Sequence, residues 1–67
     1  MLIPAAERDR VRPLLTPAQY DAWRLAVDEG RTLGQVDRHL GITREAVRER
    51  LHAAERAIAK ADQDAAA

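Results

Sequence analysis

Apolar residues along this chain recur at helical intervals and nowhere alternate in the manner of a strand. Leu33, Val36 and Leu40 stand at i, i+3, i+7, and Val47, Leu51, Ala54 and Ile58 at i, i+4, i+7, i+11. Each set makes one stripe along a helix. Thr32 stands where the first of these helices needs an N-cap, and Gln35 completes a capping box. Gly41 supplies the left-handed residue that ends it, and Thr43 caps the helix that follows. Upstream, Thr16 with Pro17 at the first helical position and Gln19 at the third begins another helix. It is predicted to run to about Glu29 and stop at Gly30, burying Trp23, Ala26 and Val27 with Leu15 and Tyr20. Pro4 and Pro13 bracket a first helix whose apolar spacing is thin, so loose docking is expected. It ends before Pro13 because the residue preceding a proline avoids the α region. After Lys60, ADQDAAA has no apolar residue larger than Ala and is expected to fray. The predicted fold is a small all-α domain of three to four helices containing a helix-turn-helix. Residues 1–14 form an N-terminal helix or arm, 15–60 the domain, and 61–67 the tail.

A chain of 67 residues makes one small domain whose single core is only marginally stabilising. With no Cys, neither a disulfide nor a thiolate metal site supplements that core. The two His residues stand apart and no Cys accompanies them, which does not make a zinc site, so no metal or other cofactor is expected. No apolar run reaches the length of a membrane span or a signal-peptide core, which leads to the expectation of a cytoplasmic protein with no membrane partner. The formal charge is zero, against the profile of a strong nonspecific polyanion binder. Its distribution is uneven: residues 31–60 carry a net +3, residues 1–30 a net −1 and residues 61–67 a net −2.

The positive excess coincides with the two stripes. Two short amphipathic helices joined by a turn of about three or four residues containing Gly match the helix-turn-helix pattern, whose second helix enters the DNA major groove. Turning 100° per residue separates Val47, Leu51, Ala54 and Ile58 from Glu45, Arg48, Glu49, His52 and Arg56, with Arg44 on the flank. Arg grips guanine O6 and N7 bidentately, and Glu accepts from cytosine N4. Arg44, Glu45, Arg48 and Glu49 are therefore the candidate base-contacting residues. Arg31, Thr32 and Thr43 at helix starts, together with His52, are the candidate phosphate contacts. A plainer reading stands beside this one. Glu45 with Arg48, and Glu49 with His52, are i, i+3 pairs that support a solvated helix, the threonines are caps, and His52 is an exposed filler. Trp23 reads as a core anchor.

The segments Gly30-Arg31-Thr32-Leu33, Leu40-Gly41-Ile42-Thr43-Arg44-Glu45 and Val47-Arg48 resemble region 4 of bacterial sigma factors and, more loosely, the LuxR-type DNA-binding domain. The resemblance extends over roughly Leu15 to Lys60. It implies that the positions of Arg44, Glu45 and Arg48 contact an upstream promoter element. Three residues depart from the family pattern. Asp37 stands where a small residue is usual, so its carboxylate must turn outward or pair with a nearby Arg to escape a burial cost. Ala46 and Glu49 replace a basic and an amide residue, which points to a different preferred sequence.

The expected function is that of a stand-alone, sequence-specific binder of double-stranded DNA acting as a small transcriptional regulator. Without the other sigma regions it is not expected to melt a promoter. A homodimer is expected, because paired half-sites add affinity that a single helix lacks. The alternative is a protein-interaction module shaped like region 4 that engages RNA polymerase or another protein. An enzyme is not expected: no paired carboxylates, nucleophile–base set or Gly-rich phosphate loop is present.

Overall fold

Three threonines set the starts of three helices. In the computed structural model, which describes residues 4–66, the Thr16 hydroxyl accepts from Gln19 N at 3.2 Å while Thr16 N donates to Gln19 Oε1 at 3.1 Å. Thr32 and Gln35 repeat this reciprocal box at 3.2 and 2.9 Å. The Thr43 hydroxyl accepts from Ala46 N at 3.2 Å. Each hydroxyl thereby satisfies a first-turn N–H that has no partner within its own helix. The helices are α1 (Ala5–Val11), α2 (Pro17–Trp23), α3 (Leu33–Leu40) and α4 (Arg44–Ala66). A 3₁₀ turn over Arg12–Leu14 follows α1, and a π-helical segment over Arg24–Asp28 prolongs α2. No strand occurs among the described residues, so the domain is all-α. Residues 1–3 and 67, assigned above to the arm and the tail, lie outside the described residues.

Both predicted helix stops are left-handed glycines, Gly30 and Gly41, each at φ 68°. A side chain in that region costs about 1 kcal/mol or more. Gly41 lets the chain reverse in three residues between α3 and α4, and Ile42 N donates back to Asp37 O at 3.1 Å across the turn.

The core consists of two apolar clusters that share α4, one lying against α2 and the other against its π-helical prolongation. Val11, Trp23 and Ala54 form one, with Leu15, Tyr20, Leu51 and Ile58 packed on it. Leu25, Val36 and Val47 form the other, with Ala26, Leu33, Leu40, Ile42 and Leu51 around it. Trp23 is 5% exposed, a core anchor as its spacing suggested. Leu51 belongs to both clusters and ties them together.

The structure corrects three expectations. The buried face of the second helix is Ala22, Trp23, Leu25 and Asp28, while Val27 is 38% exposed. A helix lying between two clusters cannot bury a single stripe, since Trp23 must face one way and Leu25 the other. Its last turn is also widened, with Glu29 N bonding to Arg24 O at 3.0 Å, one residue beyond α-helical spacing. That extra residue shifts every side chain after Arg24 relative to an ordinary helix.

Second, α1 is docked rather than loose. Val11 is fully buried against Trp23 and Ala54, and Arg8 reaches Asp28 Oδ2 at 3.2 Å. Asp28 is 3% exposed and its Oδ1 has no hydrogen-bond partner, so Arg8 is what balances a carboxylate taken out of water. Arg10 pairs with Glu7 one turn away and with Asp62 at 3.0 Å. The hydrogen bond from Arg10 holds the Glu7 carboxyl below its ordinary value of 4.5. The pair therefore supports the fold above that value and is lost as pH falls. Third, α4 continues to Ala66, beyond the predicted end at Lys60. Alanine has the highest helix propensity of any residue, and Arg10 holds Asp62 from α1.

Leu25 and Val27 test the placement of this widened turn. Leu25→Ala is expected to cost about 2–5 kcal/mol, the range for emptying a buried leucine site. Val27→Ala should stay within about 0.5 kcal/mol, as for surface positions. Thermal melts followed by circular dichroism compare the two, and equal losses would contradict the facing described.

Candidate nucleic-acid interface

The first turns of α4 present a charged face because the opposite face is sealed. Val47 and Ala54 are fully buried, which fixes the rotation of the helix about its axis. Glu45, Arg48, Glu49, His52 and Arg56 follow at spacings of three, one, three and four residues, and together they line one shallow open depression. Of the residues singled out by sequence, Glu45, Arg48, Glu49 and His52 are thus brought together. Arg56 joins them. It lies on the outward side of the same helical wheel, and the spacing that marked His52 marks it equally.

Arg48 and Glu45 face solvent and each other, with Arg48 Nη1 donating to Glu45 Oε1 at 3.1 Å. Their side chains remain 54% and 77% exposed. Arg44 does not line the depression. Its guanidinium turns back toward α3, where Nε lies 3.6 Å from Asp37 Oδ2. The Asp37 side chain is 18% exposed and that of Arg44 60%. The carboxylate therefore escapes its burial cost by taking an Arg partner, one of the two outcomes its position allowed.

The expected phosphate contacts are divided between two helix starts. At the head of α4, Thr43 uses its hydroxyl oxygen to accept from Ala46 N, which leaves the hydroxyl proton free to donate to an anion. At the head of α3, Thr32 is engaged in its capping box through both its hydroxyl oxygen and its N–H. Arg31 is held to Glu29, Nε to Oε1 at 3.0 Å, and Arg24 holds the other oxygen of the same carboxylate. Arg31 and Thr32 do not line the depression on α4.

Chemically, the face offers fork-shaped donors and carboxylate acceptors side by side. That set suits hydrogen bonding to the edges of paired bases better than it suits holding a polyanion by net charge. Among the described residues no cluster of His, Cys, Asp or Glu could hold a metal ion, and no helix is long and apolar enough to cross a membrane. No protein-family model, curated protein or solved structure matches the chain.

The Arg44 side of the Arg44–Asp37 pair is exposed and screened by solvent, and such pairs contribute about 0–1 kcal/mol. Arg44→Ala should therefore move the unfolding free energy by no more than about 1 kcal/mol. A denaturant titration checks this, and a loss of several times that size would place Arg44 in the core rather than at a surface.

Proposed function

We propose that the chain binds double-stranded DNA sequence-specifically and regulates transcription, with α3, the Gly41 turn and α4 acting as a helix-turn-helix. One observation carries the reading. The outward donors and acceptors at the start of α4 are backed by a buried face that holds the helix in one orientation. A helix so held can enter a major groove with its N-terminal residues toward the base edges. Arg44 and Arg48 then grip guanines, and Glu45 and Glu49 accept from cytosines. Thr43, Arg31, Thr32 and His52 meet phosphates on either side of the groove. Two copies on a site with half-sites one helical turn apart supply the affinity that one helix lacks.

A second reading draws on the ion pairs. Arg31, Arg44 and Arg48 each have a carboxylate partner within the chain, and the total charge is zero. Both features suit a surface that meets another protein, RNA polymerase included. Selection of bound sites from random duplex DNA, followed by mobility shifts at two salt concentrations, separates the two. An enriched motif supports DNA recognition, and its absence even at low salt favours the protein partner.

Arg48→Ala is expected to weaken binding to the enriched site by about 1–3 kcal/mol and to relax preference at one base pair. Unchanged affinity and preference would remove Arg48 from the interface. Glu49→Gln deletes a negative charge close to the phosphates, so affinity for random-sequence DNA should rise. A fall would show that Glu49 points elsewhere in the complex.

A further inference from the structure

Arg44 is the one candidate base-contacting residue whose side chain is seated by another helix, and the seat has two parts. Asp37 on α3 forms an ion pair with the Nε side of the guanidinium, its Oδ2 3.6 Å from Nε. Gly34, one turn earlier on α3, leaves open the space beside it, since a Cβ built at Gly34 would lie 3.4 Å from Arg44 Nη2. A methyl group would only touch the guanidinium, but a longer side chain would occupy its place. Gly34 lies inside α3 and is not among the glycines at positive φ, so the backbone does not require a glycine there. Gly34 is the second residue of α3, and at a helical position glycine is less favourable than alanine. What it provides here is room.

A guanidinium has one edge formed by Nε and Nη2 and one end formed by Nη1 and Nη2. A carboxylate at Nε leaves that end free, and the Nη1–Nη2 fork can still meet guanine O6 and N7 together. From this geometry we propose that Asp37 and Gly34 are positioning residues for base selection. They hold the Arg44 guanidinium against α3 so that its fork selects guanine at one position of the DNA site. The proposal rests on the DNA-binding reading above and adds to it the residues that make Arg44 selective. Without the seat, Arg44 is a long flexible cation on an exposed helix face, free to follow the nearest phosphate. Charge alone would then bind DNA without choosing a base.

The test uses the full chain and its selected duplex, with all four base pairs placed in turn at the position where Arg44→Ala abolishes preference. Asp37→Ala is expected to lower the guanine preference there by at least about threefold, a fraction of what a bidentate contact provides. Affinity for random-sequence DNA should hold or rise, because a negative charge is lost. Asp37→Asn keeps the size of the side chain and an acceptor oxygen, guards against misfolding, and should fall between the parent and Asp37→Ala. In the Arg44→Ala background, Asp37→Ala should change no base preference. A parent-like preference profile for both Asp37 variants would overturn the inference and leave the DNA reading standing. So would a loss of preference spread evenly over all positions of the site, the mark of a merely structural role. If the parent chain enriches no sequence at all, both readings fall together.

Discussion

Everything that α4 can offer a partner depends on its role as the shared wall of two apolar clusters. Ala54 closes one, Val47 the other, and Leu51 touches both. Because the two contacts lie seven residues apart on the same stripe, the helix cannot rotate to relieve one without opening the other. That constraint turns a run of charged residues into a face with a fixed direction. A domain this short has a net stability of only several kcal/mol, so few of these contacts are dispensable. The same economy explains α1. Its one large buried side chain, Val11, fills the cluster beside Trp23 and Ala54, and Arg8 neutralises Asp28 where that carboxylate is shut away from water.

The elements visible in the sequence are those with local causes. A capping threonine, the Gln three residues after it, and a glycine at a helix end each act within one turn of chain. The starts of α2, α3 and α4 and the stops at Gly30 and Gly41 were accordingly legible. The stripe on α4 was legible because that helix packs on one side only. The second helix departs from its apolar pattern because periodicity assumes one buried face and 3.6 residues per turn, and neither holds between Arg24 and Asp28. Its core residue, Leu25, and its buried charge, Asp28, depend on which neighbours lie on each side. The tail departs from its pattern for the opposite reason. It buries little, so pattern gave no signal, while alanine propensity and the distant partner Arg10 extend the helix.

At the candidate interface the same division recurs. The outward placement of Glu45, Arg48, Glu49 and His52 follows from helical geometry and could be read directly. That Asp37 needed a partner was also readable, since a carboxylate at a packed helix position must be compensated. Which arginine would answer it was not, because that depends on how α3 packs on α4, where Val36 and Val47 share one cluster. Gly34 gave no signal of its own. A glycine inside a helix reads as a small loss of propensity until the side chain of another helix is found beside it.

The pairing of nearly every candidate cation with a carboxylate bears on how such a face would work. Exposed ion pairs of this kind contribute about 0–1 kcal/mol each, so on the proposed DNA reading a guanine could displace Glu45 from Arg48, or a phosphate Glu29 from Arg31, at little cost. A wrong base would not repay even that, because the acids remain close by and repel phosphate. On the proposed DNA reading, paired arginines would reduce binding to arbitrary polyanions more than binding to a matched set of base edges. A chain with zero formal charge and a net +3 over residues 31–60 has weak long-range attraction to DNA. On the proposed DNA reading, such a balance would place the burden of affinity on correctly matched contacts and on pairing of half-sites, the arrangement in which a small domain gains selectivity rather than general adhesion.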